Sequence, residues 1–314
     1  MNSVVFRGLT SEISGYKNGF NDVLKTVRRW HDGEIIVSTW DNDTLDFDKK
    51  MIDTLVLSKD PGSTGQVFGW IDDEEMQNWP EKGGANHINT IRQLTLAEAG
   101  AKAITGKKAL LTRTDIRHGK NLFEIHERDD VTYARNGKRL IVPCVGTIWP
   151  EFRNIRKEFW RDRPTRKKIR FSKREYSLPF HMSDLFQCGD TEDIKKWASK
   201  EVSDMVISNI WTCRAIEQLW ACSYLNIFKK YFLDFKNLEK DKHDFWKIMV
   251  SNFLVLGTWE SRSINIKKEY RARHRRRPSS KFYVWPQHYK AKRKEIESRS
   301  ITNPNWVKIR KAIQ

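Results

Sequence analysis

Polar residues stand at the ends of several short apolar runs, and their types suit a phosphorylated ligand. The run Ala109–Leu111 leads into Arg113-Thr114-Asp115, so a strand there delivers a guanidinium and a carboxylate to one edge of a sheet. Val4-Val5-Phe6 leads into Arg7-Gly8, EIIVSTW at Glu34–Trp40 carries Thr39 and runs on to Asp41, and TLVLS at Thr54–Ser58 is followed by Asp60. If the strands are parallel, these residues share one edge. Cations and backbone N–H groups there can meet a diphosphate, and carboxylates can take a ribose hydroxyl or a divalent metal. Each residue taken singly also reads as a turn-former.

A second group, His181-Met182-Ser183-Asp184, interrupts the apolar stretch Leu178–Gly189. A carboxylate among Leu178, Phe180, Leu185 and Phe186 is a candidate general base, while the plainer reading has Asp184 capping a turn and His181 satisfied in the core. The sequence holds no Walker A loop, no GxGxxG after a strand, no GxSxG elbow, no HExxH and no CxxC pair, which removes several large enzyme classes.

The elements that would position these residues alternate. After the first strand, Phe20, Val23, Leu24, Val27 and Trp30 share one helical face, and the second strand follows at Glu34. A β-α-β unit of this length implies parallel pairing with a right-handed crossover. Beyond Ser58, a Gly- and Asp-rich connection over 63–84 precedes a helix with Ile88, Ile91, Leu94, Ala97, Ala101 and Ile104 on one stripe and Gly106 at C′. The strand ending in Arg113 comes next. This alternation predicts an α/β half on a mainly parallel sheet. Further on, a short helix over Asn121–Glu127, strands at 131–134 and 140–145 joined over Asn136-Gly137, and a helix capped by Asp190 are expected. Two later helices carry Ile216 to Tyr231 and Phe245 to Phe253.

At 314 residues with 39% hydrophobic content, the chain can bury a sizeable core. Four cysteines without paired metal spacing read as a reducing compartment. No apolar run approaches the roughly 20 residues of a membrane span, and MNSVVFRGL opens without the pattern of a signal peptide. A formal charge of +18 draws the chain to polyanions, and much of it lies in the KKEYRARHRRRP and AKRKEIESR segments of the tail. With the Trp-rich surface, that tail supports one rival reading, a non-catalytic nucleic-acid-binding protein.

Five segments in order resemble the WavE lipopolysaccharide-synthesis family. They are EIIVSTWD at Glu34–Asp41, VLSKDPG at Val56–Gly62, NTIRQLTLAEAG at Asn89–Gly100, ALLTRTD at Ala109–Asp115 and PFHMSDLFQCGDTEDI at Pro179–Ile194. The resemblance covers about residues 1–235, and Arg7 stands where that family often has Gln. It implies a GT-A-like, Rossmann-like α/β fold with a mainly parallel sheet flanked by helices, and a helical, basic C-terminal extension. The expected division is a glycosyltransferase domain over 1–260, its nucleotide-sugar half about 1–120 and its acceptor half about 121–260, with the extension at 261–314. The implied activity moves a sugar from a nucleotide-sugar donor to a glycan or lipid-linked acceptor in a cell-surface polysaccharide. On that reading the donor side comprises Arg7, Gly8, Thr39, Asp41, Asp60, Arg92, Arg113 and Asp115. Asp184 is the catalytic base, with Glu217 as its alternate, and His181 and Ser183 hold the acceptor. Such folds usually hold the diphosphate through Mg2+ or Mn2+, for which Asp115 is the ligand; the sequence offers one carboxylate where the usual pattern has two. Nucleic acid is not expected as a partner under this reading. The basic tail would seat a cytoplasmic protein on the anionic inner face of the membrane.

Overall fold

In the computed structural model, the described residues are 1–11, 13, 17–60, 88–129, 138–144, 182–199, 220–221, 224–225, 242–257 and 286–300. Seven strands form one sheet: β1 (Ser3–Arg7), β2 (Glu34–Trp40), β3 (Thr54–Ser58), β4 (Lys108–Arg113), β5 (Leu140–Pro143), β6 (Phe186–Asp190) and β7 (Phe253–Leu256). Their order is β3-β2-β1-β4-β6-β5-β7. The pairs β1–β2, β1–β4, β2–β3 and β5–β7 are parallel, and β6 runs antiparallel to both β4 and β5. The mainly parallel α/β architecture expected from the alternation is present.

Every residue of β1 and β2 is buried, as the unbroken apolar runs of a sheet covered on both faces require. Helix α1 (Phe20–Arg28) buries Phe20, Val23, Leu24 and Val27, and Phe20 meets Phe6 of β1 edge-to-face at 5.2 Å. Helix α2 (Ile88–Lys102) packs on β1 and β2, where a Cβ on Gly100 would lie 2.6 Å from Val5 Cγ1. Val5 and Phe6 are consecutive strand residues and point to opposite faces, so α1 and α2 cover the sheet from opposite sides.

α2 ends at Lys102, short of the expected stop beyond Ile104. Gly106 is not a left-handed C′ residue, since positive φ among the described glycines occurs at Gly8 and Gly19. It is required for room. A Cβ there would sit 2.5 Å from Ser3 Oγ, which accepts from Gly106 N at 2.9 Å and donates to Glu34 Oε2 at 2.5 Å.

The second half of the sheet departs further from the sequence expectation. FQCGD at Phe186–Asp190 is a buried strand, and helix α5 (Lys242–Asn252) passes directly into β7, so Phe253 opens a strand where a helix face was expected. Helix α3 (Leu122–Arg128) is capped by Asn121, whose side chain accepts from Phe123 N. Asp190 is the N-cap of α4 (Thr191–Ala198) without a side-chain bond to it. The proposed strand at 131–134 and its turn lie outside the described residues, as does most of the helix from Ile216 to Tyr231.

Helix α6 (Pro286–Ser300) falls in the expected helical, basic extension, and its Tyr289 and Ile296 are buried. Arg139, fully buried on β5's flank, forms a forked ion pair with Asp129 and donates from Nη1 to Val250 O at 3.2 Å and Tyr289 Oη at 3.0 Å. Tyr289 Oη in turn donates to Phe253 O at 2.5 Å. Removing one partner of such a pair costs about 3–5 kcal/mol, so this network anchors α6 to β5, α5 and β7. No helix among the described residues is long and apolar enough to cross a membrane.

Candidate functional site

From the end of β1 the chain crosses through α1 to β2. From the end of β4 it departs towards the opposite half of the sheet. Loops that leave neighbouring parallel strands in opposite directions open a crevice at their carboxyl ends. A cavity of about 670 Å³ lies there, of a size that accommodates a nucleotide-sized ligand. Its walls come from Arg7-Gly8-Leu9 after β1, Trp40 and Asp43 at the end of β2, Asp60 beyond β3, Arg92 and Gln93 on α2, and Arg113-Thr114-Asp115 after β4.

The two strand ends are locked together. Gly8 has φ +126°, a conformation that disfavours any side chain, and a Cβ there would stand 2.9 Å from Thr114 Oγ1. Thr114 N donates to Arg7 O at 3.2 Å, and Thr114 Oγ1 donates to Leu9 O at 2.7 Å. Asp43 gathers the loop after β1: its carboxylate accepts from Thr10 N, Thr10 Oγ1 and Thr39 Oγ1, each at 2.7 Å, and from Ser11 Oγ at 2.6 Å. Burial opposes ionisation of Asp43, but the bonds from Ser11, Thr39 and Thr10 outweigh it and hold the carboxyl below its ordinary range.

Arginine–aspartate forks line the rim. Arg113 binds Asp115 through Nε and Nη2, both at 2.9 Å, and reaches Asp184 Oδ2 with Nη1 at 3.3 Å. Arg92 grips Asp60 through Nε at 2.8 Å and Nη2 at 2.7 Å. Asp184 stands beside Arg113 because β6 is antiparallel to β4. The pairing of Thr112 with Phe186, and of Arg113 N with Leu185 O, puts the residues before β6 at the carboxyl end of β4. Arg7, only 3% exposed, donates from Nη2 to the backbone oxygen of Asp184 at 2.5 Å, and its guanidinium lies 4.7 Å over the Trp220 ring.

Of the residues expected on the donor side, Arg7, Gly8, Asp60, Arg92, Arg113 and Asp115 converge on the cavity. Thr39 is buried beneath it with its hydroxyl on Asp43, and exposed Asp41 lies away from the lining, its N–H on Ser58 O. Ser183 is fully buried, and its hydroxyl accepts from Leu185 N at 3.3 Å. His181 and Glu217 lie outside the described residues. Asp43 and Gln93 were not singled out from sequence. Asp43 reads as part of the Asp41-Asn42-Asp43 turn, and only its four donors, distant along the chain in three cases, reveal it as the knot of the loop.

A divalent ion would draw on Asp115 and Asp184. Both carboxylates face the Arg113 guanidinium, and among the described residues no three His, Cys, Asp or Glu side chains cluster. An ion brought in with a diphosphate needs only one or two carboxylates from the protein, and Asp115 is the residue that would supply one.

Residues 3–146 match the family model described as WavE lipopolysaccharide synthesis, the family that the sequence motifs resemble. The match spans β1 to β5 and stops short of β6 and Asp184. Among solved structures, residues 1–349 of TarS from S. aureus align over 97% of this chain and 72% of that one at 12% identity, with a TM-score of 0.29. No curated protein matches the chain.

Replacing Asp43 by Asn should lower stability at neutral pH by about 1–3 kcal/mol, because Asn keeps one acceptor oxygen where the carboxylate has two and turns an NH2 group towards the remaining donors. A carboxyl held below its ordinary value of 3.8 contributes stability fully above that pH and loses it as pH falls through the folded value. Urea unfolding of wild type and Asp43→Asn should therefore give a difference that is constant between neutral pH and about 5 and narrows on further acidification. A difference that widens below pH 3.8 would contradict the assignment.

Proposed function

We propose that the chain is a glycosyltransferase with a GT-A-like fold, moving a sugar from a nucleotide-sugar donor to a growing cell-surface glycan such as a lipopolysaccharide core or capsule-like polysaccharide. The observation that carries this reading is Arg113, at the end of β4, joined to both Asp115 and Asp184 on the rim of the switch-point cavity. The family match over residues 3–146 supports it.

In this reading the donor diphosphate lies across the ends of β1 and β4, with the sugar towards Asp184. Arg113 and Arg92 face the diphosphate. Their forks to Asp115 and Asp60 are 21–35% exposed, and pairs at that exposure are worth about 1 kcal/mol or less, so an arriving phosphate can exchange with a carboxylate at little cost. Asp184 accepts the proton of the acceptor hydroxyl. The hydroxyl oxygen bonds to the anomeric carbon as the bond from that carbon to the diphosphate oxygen breaks, and the leaving oxygen takes the electron pair. The charge gathering on it is met by the guanidinium of Arg113.

A thermal-shift screen of UDP-, GDP-, CMP- and dTDP-sugars, with and without Mn2+, tests the donor class and whether an ion accompanies the diphosphate. A donor at about 100 times its Kd stabilises the native state by about 2.7 kcal/mol. Asp184→Asn should keep that shift while lowering donor turnover by about 100-fold or more, as expected for a lost general base. Without Mn2+, Asp115→Asn should keep or strengthen the shift, because Arg113 no longer has that carboxylate to exchange for the phosphate. Full activity in Asp184→Asn, or no response to any donor together with steeply salt-dependent binding to nucleic acid, would sink the reading.

The C-terminal region would hold this transferase at an anionic membrane face. Within α6, Lys290 and Lys294 are exposed on a helix that also carries the pairs Lys292–Glu295 and Arg293–Glu297. Each cation near an anionic surface contributes about 1 kcal/mol. Co-sedimentation with phosphatidylserine vesicles should fall with added salt and be absent with neutral vesicles; indifference to both would rule the placement out.

A further inference from the structure

We infer that Arg7 is a positioning residue that fixes Asp184 for the reaction and does not contact the donor. The inference rests on the glycosyltransferase reading for Asp184 but on geometry for Arg7. Arg7 and Arg113 are register partners on β1 and β4, and both guanidinium groups converge on Asp184, one on its backbone oxygen and the other on its carboxylate. The two contacts act on different parts of the same residue. Arg113 Nη1 approaches the carboxylate at 3.3 Å, so it attracts the group whose proton affinity matters. Arg7 Nη2 holds the peptide at 2.5 Å, so it sets where the side chain starts.

Burial separates the roles. The Arg113 side chain is 30% exposed and faces the cavity, whereas Arg7 is 3% exposed and its flat face covers Trp220 at 4.7 Å. A desolvated guanidinium is held on an indole face and loses that contact if it turns to a ligand. Trp220 lies 6.2 Å from Trp197 of α4, which in turn meets Tyr224 at 6.0 Å and, edge-to-face at 6.0 Å, Phe253 of β7. Arg7 therefore links the first strand to the segment carrying Asp184 and to the aromatic core of the second half, residues 177 and 213 positions apart in sequence from it.

The test uses the full chain with Arg7→Met, which keeps apolar bulk without the donors, and Arg7→Lys, which keeps the charge and N–H donors on a single nitrogen. Hydrogen exchange of the peptide over 182–190 should quicken in Arg7→Met with no donor present. In the presence of whichever UDP-, GDP-, CMP- or dTDP-sugar stabilises the wild type, Arg7→Met should leave the thermal shift unchanged and lower kcat for donor hydrolysis by about tenfold or more. In an Asp184→Asn background the same substitution should cost almost nothing further, since residues acting as a unit are not additive. Arg7→Lys should recover part of kcat. If Arg7→Met does not fold, Arg7→Lys carries the same comparisons with a smaller fall in kcat. Unchanged exchange at 182–190, a lost donor shift with kcat retained, or full additivity with Asp184→Asn would overturn the inference. A wild type that no donor stabilises would instead refute the glycosyltransferase reading, while the exchange measurement would still decide the link between Arg7 and the Asp184 segment.

Discussion

The arrangement depends on one strand running against the others. β1 to β4 are parallel and bring their carboxyl ends to one edge, but that edge alone holds only the residues that follow each strand. β6 is antiparallel to β4, so the residues that precede it arrive at the same edge. Asp184 thereby meets Arg113 across 71 positions of sequence. A shift of one residue in that register would turn every β6 side chain to the other face and break the pairing of Thr112 with Phe186. The register is held by burial: Phe186, Gln187 and Cys188 are all fully inaccessible.

The ion pairs divide by environment. Arg139–Asp129 is buried at 0% and 4% side-chain exposure, and there the loss of one charge would strand the other at several kcal/mol. It is structural, joining α6 to the sheet. The forks Arg113–Asp115 and Arg92–Asp60 are partly wet and cheap to rearrange, which suits a site that must exchange a carboxylate for a phosphate. The cavity lining balances Arg7, Arg92 and Arg113 against Asp43, Asp60 and Asp115, although the chain as a whole carries +18. The strong positive charge therefore belongs to other surfaces, and binding in the cavity turns on partner exchange more than on a standing positive field.

The parallel half was legible because its signals are local. Short runs rich in β-branched residues at Val4–Phe6 and Glu34–Trp40, and the apolar stripe of α1, each specify an element within a few residues, and the edge that collects Arg7, Asp60 and Arg113 follows from parallel topology. What escaped depends on distance. FQCGD has a Gly, a Gln and an Asp in five residues and becomes a strand only because β4 and β5 bracket it. Phe253 continues the apolar pattern of α5, so nothing local marks the switch to β7. In α6, Tyr289 and Ile296 are buried in a basic helix, and Tyr289 is held by bonds to Arg139 and Phe253 far upstream. The role of Asp43 was hidden for the same reason, since its donors Thr10, Ser11 and Thr39 declare it only once β1 and β2 lie side by side.

The central claim is that the strand ends of β1 and β4 and the start of β6 form one donor site. Hydrogen–deuterium exchange with a stabilising nucleotide sugar tests it most directly. Protection is expected together in the peptides containing Arg7–Ser11, Arg113–Asp115 and 182–185, with α6 unaffected. Protection confined to other segments, or in only one of these three, would contradict it.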